Sequence, residues 1–131
     1  MKQFAWVLSL LLFSSFQKLS GIKDTNWYFV QVTDEKSNRI VKDRLSAFSL
    51  YFSTAHILLK TSDEVLARYT FQQPGKLSVE WGDFPELKGD ISEQQLKWYC
   101  KYRFSHLLYV IEGDTLKLQD VSGVNYTLVR R

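Results

Sequence analysis

Apolar and polar residues alternate in short runs along most of this chain. Between Leu45 and Phe52, the side chains of Phe48, Leu50 and Phe52 share one face, with Ser49 and Tyr51 on the other. Val65 to Phe71 repeats the pattern through Val65, Ala67, Tyr69 and Phe71, and Leu77, Val79 and Trp81 oppose Ser78 and Glu80. A period of two puts successive side chains on opposite sides of an extended backbone, so each run predicts a strand buried on one face. Trp27 to Thr33 and His56 to Thr61 have the same character. Between the runs lie turn-forming segments: the polar loop Asp34 to Arg39, Ser53-Thr54-Ala55, Ser62-Asp63-Glu64 and Gln73-Pro74-Gly75. The stretch from His106 to Arg131 adds Leu107 to Ile111, Thr115 to Gln119 and Val124 to Val129. These are broken at Glu112-Gly113-Asp114 and Asp120-Val121-Ser122-Gly123, which predicts a terminal β-meander.

One segment changes period. Ser92 and Gln95 have the spacing of a capping box, in which each side chain satisfies a free amide of the first helical turn. Leu96, Tyr99, Cys100 and Phe104 then recur at helical intervals as a buried stripe, while Trp98 and Tyr102 fall on another face. Several strands before the helix and a meander after it predict a mainly β fold with one helix (α+β). The expected form is a small curved antiparallel sheet or partial barrel, one opening of which is capped by the helix in the C-terminal half.

The N-terminus follows neither period. Met1-Lys2 leads into an apolar run from Phe4 to Phe16, diluted only by Ser9, Ser14 and Ser15 and closed by Gln17-Lys18. That run is short for a membrane span and has the layout of a secretory signal peptide. Residues 1–21 are therefore expected to be a signal and residues 22–131 one β-rich domain. Export implies a periplasmic, outer-envelope-associated or secreted location. The leader also changes the reading of charge. The whole chain carries +3, but Lys2 and Lys18 lie in the leader and no acidic residue does, so the remainder holds 15 basic against 14 acidic side chains. The domain itself is close to neutral, which does not favour a nucleic-acid partner.

Candidate chemistry is sparse. Cys100 is the single cysteine, so no intrachain disulfide can form, and its aromatic neighbours predict a buried, inert thiol. The sequence has no phosphate-cradling glycine loop, paired-cysteine motif or histidine pair at metal-ligand spacing. His56 and His106 lie in or beside predicted strands, and Asp34-Glu35 and Asp63-Glu64 sit in turns. No catalytic, cofactor-binding or metal-binding residue is assigned. Two aromatic features remain. The run Lys97 to Phe104 interleaves cations and aromatics, as nucleic-acid or membrane contacts do, though a basic amphipathic helix docked on a sheet explains it more simply. The segment Trp81-Gly82-Asp83-Phe84-Pro85 is either a recognition loop or a plug beneath the helix. The candidate partner or ligand contacts are Trp81, Phe84, Trp98 and Tyr102.

Trp27 opening the first strand, Phe48-Ser49-Leu50-Tyr51-Phe52, Ala67 to Phe71 followed by Gly75 to Val79, then a helix and Tyr109 to Gly123, together resemble the META domain, the family that includes the bacterial heat-shock protein HslJ. The resemblance spans about Trp27 to Arg131. It implies a compact β-rich fold with a packed helix, commonly exported or envelope-associated, with links to stress, virulence or motility rather than to a common reaction. Many members carry a Gly-Cys-Asn motif between the strands here placed at His56 to Thr61 and Val65 to Phe71, and a second cysteine before the helix. This chain has Lys60 to Glu64 and Phe84 to Leu87 in those regions, without cysteine. The expected function is a non-enzymatic, exported domain that binds a protein or a small apolar ligand. A lipocalin-like carrier is the alternative, and it needs an open cavity among Phe48, Leu50, Tyr69 and Trp81. An enzyme with an unrecognised site ranks third.

Overall fold

The computed structural model describes residues 22–42, 44–73, 75–85 and 89–131, with only the backbone of Gln73. The expected signal segment, residues 1–21, lies outside the described residues. The elements are β1 (Thr25–Asp34), β2 (Arg39–Val41), a 3-10 turn (Leu45–Ala47), β3 (Ser49–Phe52), β4 (His56–Lys60), β5 (Glu64–Gln73), β6 (Lys76–Trp81), α1 (Ile91–Arg103), β7 (His106–Glu112), β8 (Thr115–Asp120) and β9 (Val124–Arg130).

Strands β3 to β9 pair antiparallel in chain order, and β9 returns to β1 from Trp27↔Arg130 to Asp34↔Val124. Eight strands thus close into a barrel, with β2 as an extra strand beside the second half of β1. The expected partial barrel is in fact a full one. Closure gives β9, the last strand of the meander, a partner on each side, β8 and β1, so it has no open edge. One edge of β1 serves two partners: Thr25 to Tyr28 pair with β3, and Val32 to Asp34 with β2.

A bulge in β1 sets the later geometry. The register against β9 shifts between Phe29 and Gln31. Trp27 and Phe29 are buried before it, Val32 and Asp34 after it, and Val30 is exposed. One extra residue reverses the alternation. The Asp34 side chain is thereby turned inward, toward the helix.

Three expectations change at element ends. The strand expected from Leu45 starts only at Ser49, because Arg44 adopts φ 62° and Phe48 N–H closes a tight turn on the Leu45 carbonyl at 2.9 Å. The polar loop after Asp34 contains β2, its hairpin turning through Asn38 at φ 55°. The helix begins at Ile91 and its N-cap is Asp90, not Ser92: the Asp90 carboxylate accepts from Glu93 N–H at 2.9 Å and sits 3.1 Å from Arg44. A carboxylate suits this position because the first-turn amides are unpaired and the helix dipole is positive there.

An eight-stranded barrel encloses a space that side chains can fill. Trp27, Phe29, Leu50, Phe52, Leu118, Tyr126 and Leu128 are completely buried in one continuous core. α1 closes one end, where Phe104 meets Tyr126 edge-on with ring centroids 4.9 Å apart. At the other end, where β1 begins, the Ile22 side chain is fully buried and the Thr25 hydroxyl donates to the Ile22 carbonyl.

Candidate functional site

The helix that closes the barrel is held by two polar anchors. Lys97 is fully buried, its Nζ 2.6 Å from Asp63 in the β4–β5 turn and 3.0 Å from Glu93 one helical turn earlier. Glu93 in turn accepts from the Ser62 amide at 3.1 Å and from the Ser62 hydroxyl. Burial by itself disfavours both charges. For Glu93 it is outweighed by the hydrogen bonds from Ser62 and Lys97, which hold its carboxyl below the usual range. For Lys97, the bonds to Asp63 and Glu93 likewise overcome burial and raise the ammonium above its ordinary value. The most N-terminal cation of the basic-aromatic segment is therefore used inside the protein and unavailable to a phosphate.

The second anchor joins α1 to the end of β1. Tyr99 donates its hydroxyl to Asp34 at 2.9 Å, and Lys36 N–H caps the other carboxylate oxygen at 3.2 Å. Burial pushes Asp34 upward, but the bonds from Tyr99, Ser37 and Lys36 prevail and its carboxyl lies below the usual range. Burial followed by the bond to Asp34 raises the Tyr99 phenol. The bulge in β1 makes this bond possible by aiming Asp34 at the helix.

With its inner face engaged, α1 turns a different stripe to solvent. Ile91, Gln95, Trp98 and Tyr102 follow the i, i+4, i+7, i+11 spacing of one helical face. Ile91 is 72% exposed, Trp98 40% and Tyr102 58%. The Trp98 and Tyr102 rings lie 5.3 Å apart, with Arg103 5.9 Å from the Trp98 ring centroid and Lys101 5.3 Å from that of Tyr102. Beside this stripe, between α1 and the β1–β2 hairpin, runs a cleft of about 460 Å³. Trp98 and Ile91 supply its apolar surface, Gln94, Gln95, Arg39 and Arg103 its polar rim, and the Asp34–Tyr99 pair also lines it.

Of the four contacts expected from sequence, Trp98 and Tyr102 form this exposed pair. Trp81 and Phe84 are elsewhere: their rings pack together with centroids 5.3 Å apart, partly buried against the core. Trp81 Nε1 donates to the Phe104 carbonyl at 2.8 Å and helps seat the C-terminal end of α1. Asp34, Arg39 and Arg103 had no sequence signal as a group, since the hairpin and the helix come together only in the fold. The bulge is likewise invisible to a simple alternation rule.

Other chemically notable groups are scattered. Cys100 is buried, and burial pushes its thiol far above the ordinary range, in keeping with the inert thiol expected from sequence. Ser78 and His106 are cross-strand neighbours, with the hydroxyl 3.1 Å from Nδ1 on the exposed side of the β6–β7 pair. Among the described residues, no three His, Cys, Asp or Glu side chains gather as a metal site would require, and no helix is long and apolar enough to cross a membrane.

No protein-family model matches this sequence, and no curated protein does. Among solved structures, the NMR structure of a protein from Burkholderia xenovorans is similar, with a TM-score of 0.65 and 16% identity over 86% of this chain and 85% of that one. At that identity the likeness is one of fold.

Proposed function

We propose that this chain is a non-enzymatic binding domain of META-like type, exported through its apolar leader, in which the outer face of α1 receives a protein partner. The observation that carries this reading is the Ile91–Trp98–Tyr102 stripe, three large apolar side chains left in solvent on a helix whose inner face is engaged. Tryptophan and tyrosine offer large contact areas with few rotatable bonds, which is why they recur as binding hot spots. The two polar anchors hold the stripe on a rigid support, so little conformational freedom would be lost on docking. Envelope export and a role in secretion or stress follow the leader and the family resemblance.

The carrier reading, in which a small apolar molecule enters the barrel, has less support. Phe48, Leu50 and Tyr69, which would line such a cavity, are buried members of the packed core, and Trp81 lies against it. The double variant W98A/Y102A tests the favoured reading. Circular dichroism and the urea midpoint should stay near wild type, because both side chains are solvent-facing. Affinity for a partner captured from the envelope fraction of the source organism should fall by at least about tenfold, since two hot-spot side chains commonly contribute more than 1.4 kcal/mol together. Undiminished affinity in a folded variant would remove this face as the contact site.

A further inference from the structure

The cleft beside α1 has a charge pattern that the docking reading leaves unused. Arg39, on β2, and Arg103, in the last turn of α1, both line it, and among the described residues neither forms an ion pair. The acid in the cleft wall, Asp34, is buried and already accepts hydrogen bonds from Tyr99 and Lys36. Its demand for donors is therefore met from within, although Asp34 and Arg39 are directly paired in the β1–β2 register. Among the described residues, the two guanidinium groups have no carboxylate within ion-pair distance. A planar guanidinium offers paired N–H donors that match the two oxygens of a carboxylate. Trp98 lines the same cleft with its flat ring, 5.9 Å from the Arg103 guanidinium, and Gln95 contributes an amide. The cleft volume of about 460 Å³ falls in the range of about 300–1,000 Å³ typical of ligand sites.

We propose that this cleft is an anion-recognition site for a carboxylate attached to a flat apolar group, the carboxylate lying against Arg39 and Arg103 and the flat group on Trp98. The inference rests on the reading of α1 as the binding face and adds the chemistry of what is bound there. Such a group could belong to a free aromatic acid or to an aromatic residue at the C-terminus of a partner, and both offer the same pair of features. The buried Asp34 carboxylate has a positioning role in this arrangement: by accepting from the Tyr99 hydroxyl and the Lys36 amide it ties the hairpin to α1.

The test is a titration of the labelled protein followed in ¹H–¹⁵N NMR spectra, with indole-3-acetate as free acid, the tetrapeptide Gly-Gly-Gly-Phe as C-terminal acid, the amide of that peptide, and tryptamine. Indole-3-acetate or the free-acid peptide should shift the amides of Arg39, Gln95, Trp98 and Arg103 with a dissociation constant on the order of 1 mM or tighter. Tryptamine and the peptide amide should bind at least about tenfold more weakly, and the R39A/R103A variant should lose about the same factor for the acids while keeping its urea midpoint. Preference for the peptide acid over indole-3-acetate would assign the site to a chain terminus, and the reverse to a free aromatic acid. No shifts from either acid, or tryptamine binding as well as indole-3-acetate, would overturn the proposal. Partner affinity lost in W98A/Y102A but kept in R39A/R103A, with no acid bound, would remove the anion site and leave the docking face standing.

Discussion

Replacing Lys97 with methionine is expected to lower the unfolding free energy by about 3–5 kcal/mol, the cost of deleting one partner from a buried ion pair. The reason is local. Lys97 is the cation between Asp63 and Glu93, and its removal leaves the nearly buried Glu93 without its counter-ion and cuts the tie between α1 and the β4–β5 turn. Urea denaturation would read the effect as a lower midpoint at similar slope. Adding Glu93→Gln and Asp63→Asn to Lys97→Met should recover part of the loss, because the variant then buries no uncompensated charge. A simple loss of packing would not be recovered in this way.

The pH dependence has a definite sign on each side. Glu93 is held below its ordinary value of 4.5, so its contribution is present above that pH and is lost as pH falls through the lowered folded value. Lys97 is raised above its ordinary value of 10.5, so its contribution is present below that pH and is lost as pH rises through the folded value. The anchor is therefore at full strength between those limits. Wild type should lose stability faster than Lys97→Met on acidification below about pH 4.5, narrowing the difference between them.

Trp27→Ala is the second large effect, at about 3–5 kcal/mol, as for other large aromatic residues truncated in a packed core. Trp27 is completely buried, pairs with Leu50 of β3 on one side and Arg130 of β9 on the other, and donates from Nε1 to the Thr25 hydroxyl at 2.6 Å. It sits at the seam where the barrel closes. Trp27→Phe keeps much of the volume but loses the donor, and should cost less. Chemical denaturation of the two variants beside wild type checks the order. Equal stability of Trp27→Ala and wild type would mean that the seam is not packed as described.

The fold was largely legible because short antiparallel strands announce themselves by alternation. Val65 to Phe71 and the meander after His106 agree with β5 and β7 to β9 to within two residues at each end. What the pattern could not convey was closure. The β1–β9 ladder joins Trp27 to Arg130 across nearly the whole chain, and no local rule reaches that far. The N-cap was misplaced because Ser92–Gln95 and Asp90–Glu93 offer overlapping capping signals, and the contact with Arg44 that accompanies Asp90 is long-range.

The proposed binding face was half legible. Trp98 and Tyr102 stood out because the buried stripe of Leu96, Tyr99, Cys100 and Phe104 left them unexplained, and both are exposed. Lys97 gave the opposite impression from its place in the structure. In sequence it is one more cation in a basic run, yet it is the most deeply buried charge on the helix, because Asp63 and Glu93 meet it there. Arg39 and Arg103 could not have been placed on one cleft without the hairpin that faces α1. Side chains that act together across elements are recognisable only once the pairing of those elements is known.

If the barrel is full and recognition lies on its outer helix, a general apolar probe should find no place inside. The most direct measurement is a titration with cis-parinaric acid, a flat fatty acid whose fluorescence rises on entering an apolar cavity, with ¹H–¹⁵N spectra recorded alongside. The expected result is no saturable site of micromolar affinity, with any weak shifts confined to α1 and the β1–β2 hairpin. Saturable one-to-one binding that shifts Leu50, Leu118 and Tyr126 and is unaffected by W98A/Y102A would contradict it, and would make the protein a carrier.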